Sequence, residues 1–170
     1  MKKIIILFIT LICFCIFASK SYSNENIVFI NFEYVINNSN HGKSIFKDLK
    51  KIRDENINKL KSKEEILKDQ ENEIKTKKNI ISKEDLNKKI KLLNVNIKEF
   101  QDLKRSMDSD LNKIRSKKMN DFMDKINPIL EKYMDENSVD IMLDTKNMLI
   151  GKKTINKSDE ILKLINKNIK

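Results

Sequence analysis

Proline and glycine are almost missing from this 170-residue chain, which has one Pro and two Gly. So few breakers imply long, uninterrupted elements. Tryptophan is absent and aromatics make up 6% of residues, which argues against a large compact core. His41 is the one histidine, so neither a histidine metal cluster nor a histidine acid–base pair can form. It sits in a polar stretch and reads as ordinary surface. Glycine is also too scarce for a phosphate-cradling loop. The two cysteines, Cys13 and Cys15, both fall in the apolar run over residues 4–18. If that run is removed, no disulfide and no thiol chemistry remain.

The run reads as the core of a secretory signal peptide over residues 1–23. Lys2 and Lys3 supply a positive start, and Ser21 and Ser23 occupy small-residue positions before Asn24. An uncleaved anchor is the rival, but about 15 apolar residues fall short of the roughly 20 a span needs. Lipid attachment at either cysteine is excluded, because the large residues Ile12 and Phe14 precede them. The exported chain is then expected to be stabilised by packing or oligomerisation.

The chain carries 35 Lys+Arg against 25 Asp+Glu. Setting aside Lys2, Lys3 and Lys20 leaves 32 against 25, or +7 over residues 24–170. Such a surface attracts acidic protein, an anionic membrane surface or nucleic acid. The abundance of Lys, Asn and Ile also matches A/T-rich codons, a bland source of the same charge. Nucleic acid is not expected as a partner: cations alternate with carboxylates, and no aromatic platform accompanies them.

Residues 43–81 lack Gly and Pro and form a first long helix of roughly 58 Å. Its apolar positions include Ile45, Leu49, Ile52, Ile57, Leu60, Leu67, Ile74 and Ile81, the last four seven apart. The stripe is thin. Pairs such as Glu55/Lys59, Glu64/Lys68, Glu71/Lys75 and Glu73/Lys77 support the solvated face. A break follows at residues 79–85, where Ser82 and Asp85 make an N-terminal capping signature. A second helix runs to about residue 137, and Pro128 should kink or break it. Its positions Leu86, Ile90, Leu93, Ile97, Phe100, Leu103, Met107, Leu111 and Ile114 alternate by four and three.

The two stripes fit one antiparallel hairpin over residues 43–137. Opposed residues then share a residue-number sum of about 164. Leu49 meets Ile114, Ile52 meets Leu111, Ile57 meets Met107, Leu60 meets Leu103, Leu67 meets Ile97, and Ile74 meets Ile90. Three residues do not fit. Leu86, Leu93 and Phe100 face Lys78, Gln70/Glu71 and Lys63/Glu64, leaving an apolar column that the first helix does not cover. The column could be packing surface, or a surface for transient apolar contact.

Residues 24–42 and 138–170 should form a small β-containing body. Residues 27–32 read as a buried strand, 33–38 as a short helix, and 37–42 as a turn with Gly42 its strongest breaker. Residues 139–143 are a second strand candidate and 148–150 a third. Ser158, with Asp159 and Glu160, should cap a last amphipathic helix. The fold class is therefore mainly α with a small β body.

A leader, a first strand Ile27-Val28-Phe29-Ile30-Asn31-Phe32, a Lys/Glu-rich hairpin, then Val139-Asp140-Ile141-Met142-Leu143-Asp144 and a short helix together resemble the Skp/OmpH family of periplasmic chaperones. The flanking strands carry the specificity, and the likeness covers residues 24–170. It implies a homotrimer with hairpins hanging around a cavity that holds unfolded outer-membrane β-barrel proteins. It implies neither ATP use nor covalent chemistry, and no cofactor or metal is expected. Val28, Ile30, Ile141 and Leu143 are the candidate trimer contacts, and Leu86, Leu93 and Phe100 the candidate client contacts. A structural coiled-coil envelope protein and a basic polyanion binder at a membrane are the alternatives.

Overall fold

The computed structural model describes residues 25–169. The expected signal peptide lies outside the described residues. The chain forms β1 (Ile27–Ile30), α1 (Phe32–Asn38), α2 (Asn40–Lys77), α3 (Lys83–Glu136), β2 (Ile141–Asp144) and α4 (Ser158–Asn168), with single 3-10 turns at Thr145–Asn147 and Lys153–Ile155. It is a mainly α protein in which α2 and α3 make a long hairpin beside a two-stranded sheet.

Polar caps set the helix starts. Asn31 Oδ1 accepts the Tyr34 amide at 2.8 Å and opens α1. Ser39 Oγ accepts the Gly42 amide at 3.0 Å and opens α2. Ser39 also ends α1, because its own amide donates to the Val35 carbonyl. Gly42 therefore does not break the chain, contrary to expectation. It lies in the first turn of α2, where a Cβ would stand 1.9 Å from the Ile36 carbonyl oxygen. Glycine is required there by the close approach of two helices, not by a turn.

By length, α2 spans about 57 Å and α3 about 81 Å. The overhang carries α3 into the body, where Phe122, Ile126 and Tyr133 are buried. The break expected at Pro128 is absent, and α3 runs through it to Glu136. Packing of Ile126, Ile129, Leu130 and Tyr133 into the core offsets the one helical donor that proline lacks. The helix ends in a Schellman arrangement. The Val139 amide donates to the Met134 carbonyl at 2.9 Å and the Ser138 amide to the Asp135 carbonyl at 3.5 Å. Ser138 holds φ 51°, the left-handed position that usually takes glycine.

The strands come from opposite ends of the chain and pair in parallel, Ile27 with Ile141 through Ile30 with Asp144. Asn26 fixes the register. Its amide donates to Asp140 Oδ2 at 2.7 Å, and its side chain donates to the Asn137 and Ser138 carbonyls. The third strand expected at residues 148–150 does not form, and Leu149 and Ile150 are fully exposed. The outer edge of β1 is already taken: Phe29 bridges to Asn156, and its carbonyl accepts the Lys157 amide at 2.9 Å.

Val28 and Ile30 are 3% and 4% exposed and pack in one cluster with Val35, Ile36, Ile161 and Ile165. They belong to the chain's own core, which corrects their expected place in a subunit interface. Ile141 and Leu143, on the other strand, stay exposed. Ser158 is not the cap of α4 either. It is the first helical residue; its hydroxyl is buried, accepts the Asn31 amide at 2.7 Å and donates to Asn156 Oδ1. Sequence reading had no way to weigh that tertiary partner against local capping.

Candidate functional site

The hairpin turns at residues 78–82. The Ile80 and Ile81 amides both donate to the Lys77 carbonyl, at 2.9 and 3.1 Å. Ser82 then restarts the helix, its Oγ accepting the Asp85 amide and donating to Asp85 Oδ2. Three polar bridges cross between the arms. Lys118 Nζ donates to Asp48 Oδ2 at 2.8 Å, Asn96 Nδ2 to Gln70 Oε1 at 2.9 Å, and Lys89 Nζ to Glu73 Oε1 at 3.1 Å. All three fall within two of the residue-number sum near 164 that the apolar stripes imply. Lys118 holds the Asp48 carboxyl below its ordinary value, chiefly by hydrogen bonding. Lys77 and Lys89 do the same to Glu73. Exposed bridges of this kind fix alignment more than they add stability.

Between the bridges runs the apolar seam. Ile45 and Leu49 are buried, and the other expected seam residues are half-buried except Ile90, which is 39% exposed, and Ile57. Ile57 departs from expectation: it is 52% exposed, and half-buried Asn56 takes its place. Counting four residues from Ile52 and four more to Leu60 reaches 56, so residue 57 is rotated past the seam.

Leu86, Leu93 and Phe100 do not stand uncovered as expected, for all three are half-buried. Phe100 shares a cleft of about 170 Å³ with Lys63, Ile66, Leu67 and Glu99. Leu93 shares one of about 100 Å³ with Gln70, Glu73, Ile74 and Leu92. Lys63 and Gln70 line these clefts, and long polar side chains carry enough aliphatic stem to supply cover that whole-residue polarity hides.

The most exposed apolar side chains of the distal arms are different ones. Ile66 is 56% exposed, Leu92 58% and Val95 52%. Ile66 precedes the seam residue Leu67 and Leu92 precedes Leu93, so in antiparallel helices both lean toward the same flank. That flank carries the two clefts. The doubled apolar pairs Ile66-Leu67 and Leu92-Leu93 were the available sequence signal, since adjacent helical residues point about 100° apart and cannot share one face. At the turn, Ile80 is 80% exposed between Lys77, Lys78 and Lys83.

Among the described residues no group of His, Cys, Asp and Glu could hold a metal ion. No helix there is long and apolar enough to cross a membrane. What these arms can offer is weak, distributed apolar contact along open clefts, with charge on their rims.

The comparisons agree with this architecture. The family model described as outer membrane protein (OmpH-like) matches residues 26–165. No curated protein matches the sequence. A crystal structure of a candidate outer membrane chaperone (OmpH-like) from Caulobacter crescentus CB15 superposes with a TM-score of 0.77 at 14% identity, covering 86% of this chain and 87% of that one. At that identity the likeness is one of fold, whereas the family match spans nearly every described residue. The chain therefore belongs to the outer membrane protein (OmpH-like) family.

Proposed function

We propose that this OmpH-like protein is an ATP-independent holdase of the periplasm that binds unfolded outer-membrane β-barrel proteins between its helical arms and keeps them from aggregating. The observation that carries the reading is the distal flank, where Ile66 and Leu92 stand more than half exposed beside half-buried Leu93 and Phe100 on a long open hairpin. Such a surface gives many weak apolar contacts and no closed pocket, as a carrier of varied unfolded chains requires. Leu86, Leu93 and Phe100 contribute the rims of their clefts, and Ile66, Leu92 and Val95 the larger exposed area.

The reading includes export through residues 1–23 and assembly as a homotrimer. Its interface is proposed at Ile141, Leu143, Leu149 and Ile150, whose exposures of 40%, 36%, 102% and 88% leave apolar area open on the body. Among the described residues β2 pairs with β1 alone, so its other edge can take a strand from a neighbour. Contact with an anionic membrane surface belongs to the tip, through Ile80 and the lysines around it.

The deciding assay dilutes an unfolded β-barrel membrane protein from urea into buffer with the mature protein at stoichiometric ratio, without nucleotide. Light scattering should stay low. Unchanged aggregation at low salt would reject the holdase and favour a structural coiled-coil role. The mass in solution should be three times that of the chain.

A further inference from the structure

A third cleft lies on the hairpin near the body. It encloses about 370 Å³, and its floor is Phe46, Leu49 and Leu111. Lys50 and Arg53 rise from α2 and Arg115 from α3 on its rim, and no carboxylate lines it. The two distal clefts differ: Lys63 is matched by Glu99 in one and Lys89 by Glu73 in the other. Lys50, Arg53 and Arg115 make no ion pair among the described residues.

Arginine is rare in this chain. Of its 35 basic residues three are arginine: Arg53, Arg105 and Arg115. Arg105 is paired with Asp102 on its own helix. The two unpaired arginines come from different arms and meet at one cleft. Lysine would serve equally for solubility, whereas a guanidinium adds a planar fork that grips a carboxylate with two hydrogen bonds. Two like charges converging over an apolar floor repel each other until an anion joins them.

The geometry points to a binding cleft for an acidic–apolar peptide segment, in which one large apolar side chain enters between Phe46, Leu49 and Leu111 while flanking carboxylates take Arg53 and Arg115. The inference rests on the proposed holding of unfolded chains and adds a preferred segment chemistry. The volume suits one side chain and its neighbours; a two-tailed lipid would not fit.

The test uses the full mature protein and two fluorescent nonapeptides with Asp-Phe-Asp or Asn-Phe-Asn in a Gly/Ser background. Anisotropy at fixed salt should give at least about tenfold tighter binding of the Asp peptide. In the Arg53→Gln/Arg115→Gln variant that preference should vanish, and Arg53→Lys/Arg115→Lys should keep part of it. Both side chains are exposed, and an unchanged melting curve checks that the fold survives. Equal affinity for the two peptides, or an unaffected preference in the Gln variant, overturns the proposal. So does arginine-dependent displacement of the peptide by phosphatidylglycerol vesicles, which would make the occupant a lipid headgroup. Aggregation suppression by the unaltered protein is measured in parallel. If it holds while the peptide preference fails, the cleft is refuted and the holdase is not; the reverse result refutes the holdase alone.

Discussion

Leu92 and Leu49 have the same side chain in the same hairpin, and the structure predicts opposite consequences of losing it. Leu92 is 58% exposed and Leu49 is 7% exposed. Burying a whole leucine is worth roughly 1.5–3 kcal/mol. The exposed part of Leu92 can thus contribute about 0.9–1.7 kcal/mol to a client that covers it, and the part already covered about 0.6–1.3 kcal/mol to the fold. Leu92→Ser should weaken holding by about 5- to 20-fold while lowering unfolding free energy by only about 1 kcal/mol. Leu49→Ala should cost about 2–5 kcal/mol of stability through its cavity, while its effect on holding, confined to the one cleft it helps to floor, should stay smaller than that of Leu92→Ser at a temperature where the variant is folded. Urea unfolding gives the first quantity, and titration of an unfolded labelled β-barrel protein gives the second. The two variants must rank in opposite order in the two assays. Equal ranking would show that holding follows global stability, and the distal flank would lose its role.

Three further outcomes follow from the body. Ser138→Gly should raise stability by about 0.5–1 kcal/mol, since it relieves a left-handed backbone; Ser138→Ala should not, and thermal melts compare them. Gly42→Ala should lower the melting temperature sharply, because its Cβ would meet backbone, the Ile36 carbonyl, at 1.9 Å. Tyr133 is pushed up to about 12, by burial first and Glu160 second. The neutral phenol is favoured in the folded state, so its contribution is full below pH 10 and is lost as pH rises through 12. The loss is at most roughly 3 kcal/mol. Tyr133→Phe should flatten that alkaline limb in urea titrations, and an unchanged limb would assign it to the lysines.

The hairpin and its register could be read in the sequence because a heptad seam is a one-dimensional pattern. Ser82 with Asp85, and the stripe from Leu49 to Ile114, need no knowledge of the rest of the fold. The body was harder, because its decisions are tertiary. Gly42 looks like a breaker until Ile36 is placed beside it, and Ser158 looks like a cap until Asn31 claims its hydroxyl. The expected client column failed for a similar reason. Opposite Leu93 and Phe100 the sequence shows Gln70 and Lys63, which count as polar, but their stems are apolar and line the same clefts as Leu93 and Phe100. Alternation alone assigns whole residues to faces and cannot divide a lysine into a greasy half and a charged half.

That division also explains how the arm can be both a stable hairpin and a yielding surface. A seam of half-buried residues loses little apolar area when the helices shift. The register nevertheless survives, pinned at Asp48–Lys118, Gln70–Asn96 and Glu73–Lys89. Base and tip differ in one respect. Near the base, Phe122 and Ile126 are fully buried and His41 packs its ring 4.9 Å from that of Phe122, so the arm is anchored where α3 enters the body. Beyond Leu49 no arm residue is fully buried. Freedom to open must therefore grow from base to tip, and Ile66 and Leu92 lie in the freer half, where an unfolded chain can be gripped without disturbing the core that holds the arm.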